Sequence, residues 1–485
     1  MWEFLSERMK LFESVICDAH DSYTYAQMIR LAERHGEKLM SRFPAFSKCA
    51  VLCDSGINTA LALLSCWYAD IVPIPMSKHY GERHCRSILE LTAPDCIIAD
   101  SPSDFESLQY RIDISEFKDS YKEIDSERDL QGVALIMCTS GTTGKPKGAV
   151  ITIDGLKKNV LAISKYFSIS DKDTILIARP LYHCAVLTGE FLISLYFGLD
   201  IHFYNKKYSP ISIIELCNKN DITVLCGTPT LFKQISLLNK RAQKELPVKI
   251  IALSGECLSK KIAGDIRCAF KQASIYHVYG LTEASPRVTF LPPEKFDVMP
   301  ESVGLPLIDT KIKIVDPESL FELPSHAHGL VMVSSPSLLK CYYKASDETM
   351  YEEALDKSKA SQVLINGWLN TGDIGYLDDE GYLYILSRSD DMIIKAGMNI
   401  YPKEIEEAIG SIPEISGIVA YGSKSEMGQE ICVNIVLNDG YDDIDTKQLM
   451  VLFSKVLPGY QLPSRINIVA SLERNSSGKI IRPGN

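Results

Sequence analysis

A run of glycines, hydroxyl residues and lysines follows an apolar segment and has the composition of a loop that binds polyanions. The apolar segment, 133–138, predicts a buried strand. The run after it contains Thr139, Ser140, Gly141, Thr142, Thr143, Gly144, Lys145 and Lys147. Glycines let successive backbone N–H groups converge on phosphate oxygens, and the hydroxyls and lysines add donors and charge. We therefore predict a triphosphate-binding loop, with an ordinary polar surface turn as the alternative.

This loop does not have the spacing of a Walker A motif. Gly141 and Gly144 are too close together, and Pro146 follows Lys145 where a helix would have to begin. The common NTPase interpretation therefore fails.

Composition limits the classes of protein to consider. The chain has 485 residues, 46% of them hydrophobic, and a net charge of −11. This length allows two or three domains, each with its own core. The acidic balance argues against a nucleic-acid or anionic-membrane partner, because those require clustered lysine and arginine. No signal sequence or membrane-spanning run is evident, so we expect a soluble, cytoplasmic protein.

The fourteen cysteines include no Cys-x-x-Cys pair. The nearest two are Cys49 and Cys53, and many others lie inside apolar runs, so we interpret them as reduced core residues. The nine histidines do not combine with cysteines at the spacing of zinc ligands. The sequence therefore gives no indication of structural zinc.

Hydrophobic patterning divides the chain into regions. Between 49 and 100, and again from 174 to 276, short apolar runs alternate with helix-length segments, which is typical of βαβ units and a largely parallel sheet. From 303 to 386, strands separated by turn residues indicate an antiparallel region. We predict an α/β fold: a large N-terminal domain, 1–389, of two α/β lobes plus a β-rich region, and a small mobile α+β C-terminal domain, 390–485, joined by a hinge.

Further segments occur in a fixed order with the glycine-rich loop. They are 179–183 (RPLYH), 279–283 (YGLTE), 370–373 (NTGD), 388–390 (RSD), 397–402 (GMNIYP) and 475–479 (NSSGK). Together they resemble the motifs of the adenylate-forming superfamily, which comprises acyl-CoA synthetases, non-ribosomal peptide adenylation domains and beetle luciferases. The resemblance implies that a carboxylic acid attacks ATP, with Mg²⁺, to give an acyl-adenylate that a thiol then intercepts.

The resemblance assigns the nucleotide to a set of residues. It implies that Asp373 accepts hydrogen bonds from the ribose hydroxyls beside Arg388, that Tyr279 lies against adenine and that His277 faces the adenine amino group. The ATP-binding residues so predicted are Thr139, Ser140, Gly141, Thr142, Thr143, Gly144, Lys147, Gly255, Glu256, His277, Tyr279, Gly280, Asp373 and Arg388.

Thr282 and Glu283 resemble the residues that contact the α-phosphate and Mg²⁺. Taken singly, such a pair after a strand is more often a helix start, and an acid after glycine is more often a turn residue. We favour the functional interpretation, because Thr282, Glu283 and Asp373 all occur within the ordered motifs.

The resemblance makes Lys479 the catalytic lysine, although a lysine so close to the C-terminus is ordinarily solvated. Its ammonium would bridge the carboxylate and the α-phosphate and offset their repulsion. Asp390 resembles the hinge about which the C-terminal domain rotates, and Gly397 the residue that leaves room for a pantetheine arm. Ala396 and Met398 depart from the glycine and glutamate common in relatives, which makes thioester formation less certain than adenylation.

His183 resembles a gate between the carboxylate pocket and the thiol tunnel, with a core histidine as the alternative. With Lys479 and Thr282 it completes the predicted catalytic set. The predicted substrate pocket consists of His183, Cys226, Gly227, Ser254 and Gly280.

Relatives that activate amino acids hold the ammonium with an aspartate just after the 181–183 segment. Residues 181–187 contain no acid, so a carboxylic acid with a neutral tail is preferred. The predicted acceptor is the thiol of coenzyme A or of a phosphopantetheine on a carrier protein. An enzyme that loads an amino acid onto a carrier protein is the main alternative, followed by a non-catalytic binding protein, and a luciferase-like oxidation also stays open.

Overall fold

The computed structural model describes residues 1–53, 56–77, 82–99, 130–140, 146–205, 209–242, 246–343, 364–395, 398–425, 428–441, 443–473, 480 and 482–483.

The N-terminal region alternates helices and strands. Its elements are α1 (Trp2–Met9), β1 (Val15–Cys17), β2 (Ser22–Thr24), α2 (Tyr25–Met40), β3 (Lys48–Leu52), α3 (Gly56–Tyr68), β4 (Val72–Pro75), α4 (Glu82–Thr92) and β5 (Cys96–Ala99). Helix α2 begins at a capping box in which the side chains of Thr24 and Gln27 each bond the other's backbone N–H. Strand β3 pairs in parallel with β4 and β5, as the βαβ pattern predicts.

The central region carries the predicted loop and most of the parallel sheet. Its elements are β6 (Val133–Ser140), β7 (Pro146–Thr152), α5 (Ile153–Ile163), β8 (Thr174–Ile177), α6 (Cys184–Val186), a π-helix (Leu187–Leu192), α7 (Ile193–Phe197), β9 (Asp200–Phe203), α8 (Pro210–Lys219), β10 (Val224–Gly227), α9 (Pro229–Ala242), β11 (Ile250–Ser254), α10 (Lys260–Ala269) and β12 (Ser274–Gly280). Apolar residues of these strands belong to two cores, one of which also includes residues of α1, α2 and α3.

A β-rich region follows, as predicted. It contains a short 3₁₀ turn (Thr282–Ala284), β13 (Arg287–Leu291), α11 (Pro293–Phe296), β14 (Leu305–Pro306), β15 (Lys311–Val315), β16 (Gly329–Ser334), β17 (Cys341–Tyr343), β18 (Leu364–Ile365), β19 (Trp368–Leu377) and β20 (Leu383–Arg388). Strands β15, β16, β19, β18 and β20 form an antiparallel sheet.

The C-terminal region has its own core. Its elements are β21 (Ile393–Lys395), β22 (Met398–Ile400), α12 (Pro402–Gly410), β23 (Ile415–Ser425), β24 (Gly428–Leu437), α13 (Thr446–Phe453) and β25 (Arg465–Ile468). The buried residues that pack together here, among them Ile393, Ile405, Val433 and Phe453, all come from this region. The boundary at Asp390 itself stays a prediction.

The principal sheet has nine strands in the order β14-β13-β12-β11-β10-β8-β9-β1-β2. The six strands from β12 to β1 in this order are parallel to one another. The strands at the two edges, β2 on one side and β13 and β14 on the other, pair antiparallel. A separate sheet pairs β17 with β7 and β7 with β6, both antiparallel. The sequence did not predict this second arrangement, which brings residues 341–343 beside the glycine-rich segment.

The predicted α/β fold class, with a large N-terminal part and a small C-terminal part, is confirmed. All fourteen cysteines are free, and ten of them are buried, in agreement with their interpretation as core residues. Within the described ranges, no helix combines the length and apolar character needed to cross a membrane.

Candidate active site

The predicted site residues lie where parallel strands end. Strands β8, β10, β11 and β12 are neighbours with a common direction, so their carboxyl ends share one edge of the sheet. Gly227, Ser254 and Gly280 are the last residues of β10, β11 and β12. His183 follows β8 and precedes α6. This edge is where ligands bind in open α/β sheets.

Asp373 joins three elements at one corner of the site. It lies on β19 and is paired in register with Arg388 on β20. Its Oδ1 accepts from Arg388 at 2.9 Å, and its Oδ2 accepts from the hydroxyl of Tyr279 at the end of β12. Arg388 also donates to the carbonyl oxygen of Thr371. Burial and the Asp373 carboxylate raise the pKa of Tyr279 well above 10, so its hydroxyl remains a donor at neutral pH.

Glu283 occupies a second corner, next to the predicted phosphate loop. Its Oε1 accepts from the hydroxyl of Tyr342 on β17 at 2.6 Å. The Nζ of Lys147 lies 5.4 Å from the centre of the Tyr342 ring. Burial and the Glu283 carboxylate raise the pKa of Tyr342. Sequence reasoning missed Tyr342, whose signal was the adjacent pair of tyrosines, Tyr342 and Tyr343, within the β-rich region.

The glycine-rich segment connects β6 to β7. Thr139 is paired with Lys147, and Ser140 with Pro146, so both strand ends enter the loop side by side. Gly141, Thr142, Thr143 and Gly144 lie outside the described residues, and their predicted phosphate contacts stay predictions.

Gly255 and Glu256 follow β11 directly. Gly255 has a φ of +87°, a conformation that favours glycine. Glu256 accepts through Oε2 from the backbone N–H of Thr230 at 3.1 Å. Both residues therefore lie at the same strand edge as Ser254.

His277 is 1% exposed on β12. Its Nδ1 lies 3.0 Å and 2.9 Å from the carbonyl oxygens of Pro300 and Ser302, so Nδ1 carries the proton and donates. Burial lowers the pKa of His277 to about 4, and the ring is neutral at pH 7. In this tautomer Nε2 is the acceptor nitrogen, the polarity that an adenine amino group needs. The predicted contact with adenine stays a prediction.

The predicted substrate pocket residues differ in burial. Cys226 is buried beside Gly227, Ser254 is buried at the end of β11, and Gly280 is exposed. His183 is half-buried, with its ring tilted against that of Tyr182 at 4.6 Å between centroids. These residues all lie at the carboxyl edge of the parallel strands, and their predicted contacts with a substrate stay predictions.

Three charged residues that sequence reasoning did not select lie beneath this edge. Arg179 donates through one terminal nitrogen to Glu190 at 2.6 Å and to the hydroxyl of Ser254 at 3.3 Å. Arg287, the first residue of β13, is 5% exposed and lies close enough to influence Glu190. Burial raises the pKa of Glu190, and the two arginines oppose that rise.

The C-terminal region contributes a further group of charges. Arg482 pairs with Glu406 on α12 at 2.5 Å and 3.1 Å and with Asp391 at 3.4 Å. Asp390, the predicted hinge, belongs to the short turn that follows β20. Lys479 and Gly397 lie outside the described residues.

In the described part of the chain, no group of three or more His, Cys, Asp or Glu side chains is arranged to hold a metal ion. Glu283 alone, however, suits Mg²⁺, which is usually bound by one or two carboxylates together with phosphates of the substrate. The residues therefore fit a metal that arrives with a nucleotide.

Comparisons with known proteins show the family to which the chain belongs. A family model described as AMP-binding enzyme matches residues 7–343, and a second, AMP-binding enzyme C-terminal domain, matches 404–479. The chain is similar to 2-succinylbenzoate–CoA ligases of Bacillus subtilis, with 27% identity over 95% of this chain and 92% of the relative, and of Bacillus velezensis, with 30% identity over 78% and 74%.

Among solved structures, the o-succinylbenzoate CoA synthetase from Bacillus subtilis, in complex with the acyl-adenylate intermediate OSB-AMP, has a TM-score of 0.82 and 26% identity. The match covers 99% of this chain and 97% of that structure. ATP-bound MatB from Rhodopseudomonas palustris, at 23% identity over 99% of this chain and 97% of that structure, has the same fold with a TM-score of 0.83.

Fold and site together define an adenylate-forming enzyme, as the ordered motifs predicted. This chain belongs to the AMP-binding enzyme family. The predicted enzyme class, an AMP-forming acid–thiol ligase, is confirmed.

Proposed function

We propose that this chain uses ATP and Mg²⁺ to convert a carboxylic acid into an acyl-adenylate and then transfers the acyl group to the thiol of coenzyme A. The observation that carries the proposal is a set of contacts around the end of β12: Asp373 is bonded to Arg388 and to Tyr279. Glu283, four residues after Tyr279, is bonded to Tyr342 on β17, the strand that pairs with β7 at the end of the glycine-rich loop. Solved relatives with an acyl-adenylate and with ATP and magnesium ion support the same chemistry.

The ribose site requires a rearrangement of hydrogen bonds. Asp373 now accepts from Tyr279 and Arg388. When ribose binds, its two hydroxyls donate to Asp373, and Arg388 keeps the carboxylate ionised and oriented. The Tyr279 ring then covers one face of adenine, and Gly255 and Glu256 line its edge.

The phosphates lie between the loop and the 3₁₀ turn. Thr139 and Lys147 begin and end the loop, and Thr282 offers its hydroxyl to the α-phosphate. Glu283 would hold the metal, whose charge offsets that of the phosphates as the carboxylate approaches. A metal bound through Oε1 of Glu283 would displace the hydrogen bond from Tyr342.

The catalytic lysine and the hinge complete the proposal. Lys479 on the C-terminal domain, 390–485, reaches the carboxylate and α-phosphate when that domain closes on residues 1–389. Rotation about Asp390 then replaces Lys479 with the Gly397 segment for thiol transfer. The two family models, which end at 343 and begin at 404, support this division, and Arg482 anchors the segment after Lys479 to α12.

Coenzyme A is preferred over a carrier protein because the similar enzymes are CoA ligases. A carrier protein remains the alternative acceptor. An amino acid is disfavoured as substrate, since its ammonium would meet Arg179, which bonds Ser254, and residues 181–187 contain no acid.

The test is acid-dependent exchange of pyrophosphate into ATP across a library of carboxylic acids, with mass spectrometry for acyl-AMP. Lys479→Ala should lower exchange about 10²- to 10³-fold, the size of effect seen when one transition-state donor is removed. Lys455→Ala, an exposed lysine of the same region, is the matched control. Exchange with no acid in the library refutes the proposal.

Addition of coenzyme A or a phosphopantetheinylated carrier protein to the preformed acyl-AMP then identifies the acceptor. We expect acyl-CoA. Acyl transfer to the carrier protein but not to coenzyme A would show that the proposed acceptor is wrong. The proposed adenylation step would be unaffected by that result.

A further inference from the structure

The turn that carries Thr282 and Glu283 is held by side chains from other segments. It consists of three residues, Thr282–Ala284, in 3₁₀ conformation. A turn of this length makes few hydrogen bonds of its own, so its position depends on its neighbours. Asn159 of α5, which is 2% exposed, lies directly against it. A buried amide needs hydrogen-bond partners, and Asn159 finds them at the end of this turn.

Asn159 bonds the backbone through both ends of its amide. Its Nδ2 donates to the carbonyl oxygen of Arg287 at 2.9 Å and to that of Ala284 at 3.3 Å. Its Oδ1 accepts from the backbone N–H of Arg287 at 3.2 Å. One side chain therefore joins the last residue of the turn to the first residue of β13.

Ser337 completes this contact from a third segment. Its hydroxyl lies 3.1 Å from Nδ2 of Asn159 and donates to the Ala284 carbonyl oxygen at 2.9 Å. The Ser337 carbonyl oxygen accepts from the hydroxyl of Ser285 at 2.7 Å. Ser285 has a φ of +69°, a conformation that residues other than glycine rarely adopt. The hydrogen bond to Ser337 therefore helps to hold Ser285 in the conformation in which the chain leaves the turn.

The segment that follows Ser337 also reaches Glu283. The backbone N–H of Leu339 donates to the Glu283 carbonyl oxygen at 2.8 Å. Further along, β17 pairs with β7, and α5 with Asn159 follows β7 directly. These contacts fix the turn relative to the strand that leaves the glycine-rich loop.

We propose that Asn159 is a positioning residue for the metal step, because it fixes the turn so that the Glu283 carboxylate faces the metal and the phosphates. This inference rests on the proposed function. Asn159 acts through the backbone of Ala284 and Arg287, not by contact with the metal. It differs in this from Tyr342, whose hydroxyl competes with a metal for Oε1 of Glu283.

Loss of the Asn159 amide should weaken the binding of Mg²⁺ with ATP and leave the ribose contact intact. Partners that orient a metal ligand contribute about 10- to 100-fold to metal affinity, and we expect a loss of about 10-fold in Asn159→Ala. The proposed ribose contact belongs to Asp373 of β19, which is bonded to Tyr279 and Arg388. The affinity for AMP without metal should therefore stay the same.

The experiment is isothermal titration calorimetry with ATP in Mg²⁺, with ATP in EDTA and with AMP, so that no acid or turnover is needed. Asn159→Asp keeps Oδ1 but loses both N–H donors, and it should behave like Asn159→Ala. Asn239→Ala, at a buried asparagine of α9, is the matched control and should bind all three as wild type does. If Asn159→Ala does not melt cooperatively, Ser337→Ala, which removes one donor to Ala284, carries the test with a smaller effect in the same direction.

A double-mutant cycle tests whether Asn159 acts through Glu283. In a Glu283→Gln background, Asn159→Ala should change the affinity for ATP with Mg²⁺ by less than about 2-fold, because the ligand that it positions is already lost. Fully additive effects of the two substitutions overturn the proposal.

An unchanged affinity for ATP with Mg²⁺ in Asn159→Ala also overturns the proposal. An equal loss with Mg²⁺, with EDTA and with AMP does the same, because it indicates general damage to the site. Absence of exchange with every acid refutes the proposed function instead, and the measured affinities then decide the role of Asn159 by the same criteria.

Discussion

The Tyr342 hydroxyl donates to Oε1 of Glu283 at 2.6 Å, across 59 positions of sequence. The contact exists because β17 pairs with β7, which carries the end of the glycine-rich segment. In this structure the carboxylate that we assign to Mg²⁺ is therefore held by a tyrosine. A metal bound through Oε1 would displace that hydrogen bond.

Tyr342→Phe should lower the Mg²⁺ concentration needed for half-maximal exchange. The Glu283 carboxylate then has no hydrogen bond to lose when it binds the metal. We expect the Mg²⁺ concentration for half-maximal exchange to fall a few-fold, and by up to about 10-fold. The measurement is a Mg²⁺ titration at saturating ATP and acid. Tyr441→Phe, at an exposed tyrosine, should leave the titration unchanged. A higher Mg²⁺ requirement in Tyr342→Phe would show that the hydroxyl orients Glu283 rather than competing for it.

Asp373→Ala should raise the KM for ATP about 10- to 100-fold, because two hydrogen bonds between ribose and a charged acceptor are lost. The KM for the acid should change little. Steady-state exchange kinetics with each substrate varied in turn separates the two effects. Asp379→Ala, an exposed acid beside β19, serves as the control. Equal increases in both KM values would indicate general disruption of the site.

Arg482→Ala should lower the kcat of exchange by one to two orders of magnitude while the KM for ATP stays nearly constant. Arg482 ties the end of the chain to Glu406 and Asp391, and its loss lets the lysine three residues earlier sample unproductive positions. Arg465→Ala removes an exposed pair with Glu430 and is the matched control. An unchanged kcat would show that Arg482 does not help to position Lys479.

His277 should make the protein less stable as pH falls. Burial lowers its pKa from 6.5 to about 4, so between these values the unfolded chain binds a proton that the folded chain does not. Its stability contribution is present above pH 6.5 and decreases by about 2 kcal/mol between pH 6.5 and pH 5. Urea unfolding at several pH values should show a shallower dependence in His277→Gln. His20→Gln, at an exposed position, should behave as wild type, and identical slopes for all three proteins would contradict the assignment.

The sequence predicted local structure better than contacts between distant segments. The alternating strands and helices predicted for 49–100 and the antiparallel strands predicted for 303–386 are present in the structure. Periodicity identifies a strand but not its partner, so the pairing of β17 with β7 could not be foreseen.

The ordered motifs named Asp373 and Arg388, which the structure joins at 2.9 Å. They could not name Tyr342, because its hydrogen bond to the Glu283 carboxylate joins two segments that meet only after folding.

The strand order also determines when, during translation, the sheet of β6, β7 and β17 can form. Strand β7 is complete well before its partner β17 exists, since Val150 pairs with Cys341, 191 residues later. A ribosome adding roughly 5–20 residues per second needs about 10–40 s to cover that stretch. During this interval the hairpin of β6 and β7 has one edge without a neighbour, and the sheet beside the proposed phosphate loop is completed only after Tyr343 has been synthesised.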